Sequence, residues 1–197
     1  MRNSEITKNI VLKESIKLFN TKGYKTTSLR DITLATGFTK GAIYRHFENK
    51  EDLEIDAFET IMQKVFTVMH QEISEYKNAK DKLFSVLDLF QSYISNPFIV
   101  GGCPLLNVAI EFDNTESKLK LKGQKALDTI RETLKIIIQN GKKYNQIKLD
   151  LNEDTFATIF IATVEGGIMM SNLKNNNKDI LIVVNHLKHW IEKDILS

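Results

Sequence analysis

Residues 39 to 50 read Thr-Lys-Gly-Ala-Ile-Tyr-Arg-His-Phe-Glu-Asn-Lys, and their chemistry separates by helical spacing. Ala42, Ile43 and Phe47 fall on one side, while Lys40, Gly41, Tyr44, Arg45 and His46 fall on the other. An arginine can make a planar two-point contact to a guanine edge, and lysine, histidine and tyrosine can hold phosphate oxygens. A glycine and an alanine let a backbone come close to a base pair. A short helix that shows these groups and hides its aliphatics fits a reader of the DNA major groove.

Such a helix must be aimed by its neighbours. Thr27 or Ser28 can cap a helix whose Leu29, Ile32 and Ala35 share a face, and Gly37 breaks it. Thr39 then caps the next helix, and Glu51-Asp52-Leu53 begins a third. Two short helices, a glycine turn and a helix start within residues 26 to 53 give the grammar of a helix-turn-helix. In front of them, Ile6, Ile10, Leu12, Ile16, Leu18 and Phe19 predict a bracing helix from about Ser4 to Thr21, closed by Lys22-Gly23.

Charge supports that division. Residues 1 to 51 hold ten Lys or Arg against five acids, a net +5, which leaves −3 for the rest of a chain whose total is +2. A basic first quarter on a mildly acidic body suits a phosphate-facing head on a domain that stays off DNA. The 197 residues, 42% hydrophobic and 26% charged with two prolines, read as helix-rich and soluble. No apolar run is expected to reach the roughly 18 residues that span a bilayer, and no signal-peptide core follows the amino terminus. The expected location is therefore the cytoplasm.

The stretch Gly-Phe-Thr-Lys-Gly-Ala-Ile-Tyr-Arg-His-Phe-Glu-Asn-Lys-Glu-Asp-Leu, from Gly37 to Leu53, resembles the signature of the TetR family of bacterial one-component transcriptional regulators. The likeness covers roughly residues 8 to 55, and beyond them only length and helical character agree. The resemblance implies an all-α fold of about nine helices: a three-helix helix-turn-helix head, residues 1–50, and a ligand-sensing and dimerisation domain, residues 51–197. It implies a repressor that binds a near-palindromic double-stranded DNA operator as a homodimer and leaves it when a small-molecule inducer binds. Carried over by position, Lys40, Gly41, Ala42 and Arg45 reach base edges, with Arg45 the guanine reader. Thr27, Thr39, Tyr44, His46 and Lys50 hold phosphates.

Helical spacing organises the body. A long helix from Glu51 to about Tyr76 is followed by one from Lys80 to Ser95, which must end before Asn96-Pro97. A short helix starts at Pro104 after Gly101-Gly102-Cys103, and a longer one starts at Thr115 or Ser117. Asn152 or Asp154 caps the next, and Asp179 caps the last, in which Ile180 to Val184 is helical despite its β-branched run. The family resemblance implies that these last two helices pair with their mates, through Phe156, Phe160, Gly166, Gly167, Val184, Leu187 and Trp190. It also implies an inducer cavity, for which Met62, Phe66, Met69, Phe90, Tyr93 and Met169 are candidates. Cys103, Asn107 and Glu111 are spaced i, i+4 and i+8 on one face. They are candidates for the polar side of that cavity, with Cys103 a candidate sensor thiol at a helix start.

Catalysis finds no constellation. His46, His70, His186 and His189 are scattered without partner spacing for a metal or a triad, and one cysteine forms neither an internal disulfide nor a cysteine cage. No enzyme activity, metal or cofactor is expected.

Overall fold

The computed structural model describes residues 2–92, 100–113 and 116–197. Among these, nine α-helices form and no strand: α1 Arg2–Lys22, α2 Leu29–Thr36, α3 Lys40–Tyr44, α4 Lys50–Ser74, α5 Ala79–Ser92, α6 Pro104–Glu111, α7 Lys118–Lys143, α8 Glu153–Lys174 and α9 Lys178–Trp190. A π-helical turn, Ile191–Ile195, extends α9. The all-helical expectation holds, including α9 across the β-branched run. The expected end of the fifth helix, before Asn96-Pro97, lies outside the described residues, as does Tyr93.

The chain divides into two compact units, Met1–Lys64 with Ile99–Ala126 and Val65–Phe98 with Leu127–Ser197. In the first, α1 packs on α2 and α2 on α3. Val11, Phe19, Tyr24, Ile32, Ile43, Phe47, Leu53 and Phe58 form its core, with Phe19 and Tyr24 stacked at 5.0 Å between centroids. The buried stripe of α1 runs through Val11, Ser15 and Phe19, whereas Ile6 and Ile10, expected inward, are exposed. Ala35, expected on the inner face of α2, is exposed as well.

In the second unit, α8 packs against α9, and both pack against α5. Phe156, Phe160, Val164 and Ile168 from α8 meet Ile180, Val184 and Leu187 from α9 in a core shared with Leu83, Val86 and Leu87. Gly167 allows this approach, because a Cβ there would lie 3.0 Å from Ile180 and 3.1 Å from Val183. The helix starts follow their side chains: Asn152 accepts from the amide of Thr155 at 2.8 Å, and Ser117 from that of Lys120 at 3.1 Å. Asp179 does not cap α9. It pairs with Lys174 at 2.8 Å, and Asn177 holds the cap position.

One expectation about hydropathy is corrected. α8 contains an 18-residue window of mean hydropathy 1.4, long and apolar enough to cross a membrane by composition. Its Glu153 and Asp154 sit at the end where Asn152 caps, and buried Phe156, Phe160 and Val164 serve the helical core. Apolar length here reflects a helix packed within the unit while keeping an apolar outer face.

Candidate nucleic-acid interface

Ser28, one of two candidate caps, opens α2 in a reciprocal box. Its Oγ accepts from the amide of Asp31 at 3.2 Å, and the Asp31 carboxylate accepts from the Ser28 amide at 2.7 Å. Lys22 closes on the same carboxylate at 2.7 Å. The Lys22 hydrogen bond first, then those from Ser28, hold Asp31 well below the usual carboxylate range. Gly37 ends α2 with φ 72°, a left-handed conformation that costs little only without a Cβ, and its amide donates to the carbonyl of Thr33 at 2.9 Å. The chain then turns into α3, where Thr39 caps by accepting from the Ala42 amide at 3.2 Å.

This turn fixes which groups of α3 and of the short turn after it face out. Ile43 and Phe47 are buried and anchor it, while Lys40, Gly41, Tyr44 and Arg45 are exposed, and Ala42 and His46 are half-buried. A Cβ at Gly41 would meet nothing closer than the Thr39 hydroxyl at 4.0 Å, so the surface beside it is open. Since Asp31 is neutralised by Lys22, the neighbouring Arg30 keeps its charge for solvent. Among the described residues Arg30, Lys40 and Arg45 make no ion pair, which concentrates unneutralised positive charge on α2 and α3.

Two residues expected on phosphate make contacts inside the head. Thr27 is 1% exposed, and its hydroxyl donates to the carbonyl of Gly23 at 2.6 Å. Lys50 points its ammonium at the carbonyl of Tyr24, 2.6 Å away, and at the Glu54 carboxylate, 2.9 Å away. Position four residues before Glu54 at the start of α4 draws Lys50 inward, where it ties α4 to the segment after α1. Desolvation raises the pKa of Glu54 and outweighs the lowering effect of Lys50.

The face expected on the polar side of an inducer cavity makes contacts within the first unit. Asn107 donates to the side-chain oxygen of Asn20 at 2.9 Å, and Asn20 donates to the carbonyls of Val100 at 2.7 Å and Gly102 at 3.0 Å. Glu111 accepts from the amides of Tyr24 at 3.1 Å and Lys25 at 2.9 Å. The Lys25 ammonium lies 5.2 Å from the centroid of Phe112, and the Tyr24 ring meets Phe112 edge-on at 6.1 Å. Burial first, then the negative charges of Glu111 and Glu54, push the Tyr24 phenol far above its usual range. Cys103 is the half-buried N-cap of α6. Thus α6 is docked on the end of α1 and the loop that leads to α2. The sequence offered little sign of this: Asn20 and Tyr24 look ordinary, and only Gly101-Gly102 hinted at a close backbone approach.

The other cavity candidates scatter. Met62 belongs to the core of the first unit, and Met169 is exposed. Phe90 and Met69 border a void of about 20 Å³ inside the second unit, too small for a ligand. Phe66 and Met69 line a groove of about 600 Å³ formed by α4, α7 and the start of α5.

The dimer candidates also divide by burial. Phe156, Phe160, Gly167, Val184 and Leu187 are interior to the single chain, and Trp190 stacks on Phe156 at 5.3 Å. Their periodicity came from intramolecular packing of α8 on α9. Gly166 is different, because a Cβ there would meet nothing within 4 Å. On the same helix Ile159, Met169, Met170 and Leu173 are exposed, and on α9 so are Leu181 and Ile182.

Two family descriptions match the chain: "Bacterial regulatory proteins, tetR family" over residues 11–55 and "Tetracyclin repressor-like, C-terminal domain" over residues 79–187. A TetR transcriptional regulator from Chloroflexus aurantiacus J-10-FL superposes with a TM-score of 0.96 at 35% identity, covering 100% of this chain and 99% of its own. A TetR-family transcriptional regulator from Cytophaga hutchinsonii superposes with a TM-score of 0.88 at 32% identity, covering 98% and 96%. The HTH-type transcriptional repressor DhaR of Mycobacterium sp. (strain GP1) is 24% identical over 174 residues, 86% of this chain and 84% of that protein.

Proposed function

Since the chain belongs to the TetR family of DNA-binding transcriptional regulators, we propose that it is a cytoplasmic repressor, binding a near-palindromic operator as a homodimer and released by a small molecule. The observation that carries the reading is α3, whose Lys40 and Arg45 are exposed and carry no ion pair while Ile43 and Phe47 anchor it. Arg45 reads a guanine and Lys40 a neighbouring acceptor, with Gly41 and Ala42 allowing approach and Ala42 within reach of a thymine methyl. Thr39, Tyr44 and His46 grip phosphates, joined by Arg30. Lys50 and Thr27 hold the head in shape behind them.

One head of this size buries too little surface for a specific site, so two copies are required. The exposed apolar face of α8 and α9 around Gly166 supplies the pairing surface, since an open glycine lets two backbones approach. Inducer binding acts on α4, the helix whose first turn carries Lys50 and whose later turns carry Phe66 and Met69.

The reading is tested by recovering fragments of the host genome retained by the purified protein and sequencing them. A shared near-palindrome, shifted in a gel by the protein at nanomolar concentration, is expected. Retention with no common sequence counts against a specific regulator.

A further inference from the structure

We infer that the groove formed by α4, α5 and α7 is a binding site for an amphipathic organic anion, an acidic head on an apolar body. This rests on the reading above only in making that anion the inducer; binding itself is independent of DNA. The groove encloses about 600 Å³, within the range of small-molecule sites. Its walls are apolar, from Phe66 and Ile73 to Ile136 and Tyr144, and the last two are 53% and 65% exposed, a cost in water that a ligand would relieve.

Charge selects the ligand class. Lys77, Lys82 and His70 line the groove, and none of its lining side chains is acidic. Three lysines of the same unit are paired with acids: Lys80 with Glu192 at 2.6 Å, Lys142 with Glu153 at 2.7 Å, and Lys135 with Glu132 and Asp154. Among the described residues Lys77 and Lys82 have no such partner. The nearest acid of α5, Asp81, accepts from the side chain of Asn78 at 2.7 Å and is not part of the lining. At the start of α5 the Ala79 amide already donates to Gln146 Oε1 at 2.8 Å, so the anion is held by side chains and not by a helix end. Asn140, Thr129 and Thr133 add neutral polar groups on the α7 wall. A cationic amphiphile would bring a further positive charge beside Lys77 and Lys82, and a neutral one would bury the same apolar area without an ion pair to either.

The test is calorimetric titration of the full-length protein, free of DNA, with decanoate, decanol and decyltrimethylammonium below their micelle concentrations. Decanoate is expected to bind saturably, at least about tenfold tighter than the other two. The Lys77→Gln/Lys82→Gln double variant should lose about tenfold in decanoate affinity with decanol unchanged, in keeping with lost charge-assisted hydrogen bonds. Thr133→Phe, which fills the α7 wall, should abolish binding of all three. Absence of saturable decanoate binding, equal affinity for decanol, or an unaltered double variant overturns the proposal. A second arm adds decanoate to the protein on its retained DNA. Tight decanoate binding without DNA release leaves the site standing and removes its role as inducer site, whereas DNA release without groove dependence does the reverse.

Discussion

The Glu111 carboxylate on α6 accepts a hydrogen bond from the backbone amide of Lys25 at 2.9 Å. Its other oxygen takes the amide of Tyr24 at 3.1 Å, so one side chain satisfies two consecutive donors in the loop between α1 and α2. Replacing Glu111 by Ala should cost about 1–3 kcal/mol of stability, because both amides lose a charged acceptor. Thermal unfolding measures it. Glu111→Gln keeps one acceptor oxygen and should lose less. Both variants should weaken operator binding evenly across sequences, since they disturb the mounting of the head and not its reading residues.

Gly101 presents the sharpest steric constraint in this junction. Its φ is 105°, and a Cβ would lie 2.3 Å from the carbonyl oxygen of Asn20. Gly101→Ala should therefore destabilise by about 2 kcal/mol or more, through left-handed strain and displaced backbone. Gly166→Leu offers the opposite case. Nothing within 4 Å obstructs it in the single chain, so secondary structure should persist while the dimer dissociates more readily. Sedimentation equilibrium reads that difference, and an unchanged dimer constant would remove Gly166 from the pairing surface.

Lys50 and Arg45 separate support from recognition. Lys50→Ala removes the 2.9 Å partner of Glu54 and the donor to the Tyr24 carbonyl, in a region where burial already raises the Glu54 pKa. A loss of about 1–3 kcal/mol in thermal or urea unfolding is expected, the range for removing a charged hydrogen-bond partner. Arg45→Ala, exposed and without an ion pair, should leave unfolding unchanged. Equal stability of both variants contradicts the bracing role.

Asp31 sets an acid limit on the head. Its folded pKa is depressed by Lys22 and Ser28, so its ionised form stabilises the fold above the ordinary carboxylate range, about pH 4. That contribution is lost as pH falls from there toward the lower folded value, because the unfolded chain takes up the proton first. Asp31→Asn should lower stability at neutral pH and flatten the decline below pH 4. A wild-type and variant decline of equal slope would remove Asp31 from the acid transition.

The helix-turn-helix was legible because its signals are local: Ser28, Gly37 and Thr39 each act within three or four residues, and α3 with the turn after it buries Ile43 and Phe47 while exposing Lys40 and Arg45. The inward contact of Lys50 is not visible in the sequence, since its partner, the Tyr24 carbonyl, lies 26 positions away. Asn107 and Glu111 were placed together on one face, but spacing cannot say what that face meets, and Asn20 and Tyr24 stand 87 positions before them. In α8 the apolar residues cover more than one face, so periodicity did not separate Phe156 and Phe160, which pack inside, from Ile159 and Met170, which face out. The groove lined by Lys77 and Lys82 joins helices far apart in the chain, and no run of sequence marks it.

Sequence reading by α3 through Arg45 is measured by competition binding across single-base variants of the retained near-palindrome. Arg45→Ala should lose about 1–3 kcal/mol on the preferred site and flatten discrimination at one guanine in each half, with a nearly unchanged affinity for unrelated DNA. If Arg45→Ala binds every base variant with the wild-type order of preference, Arg45 does not read the operator.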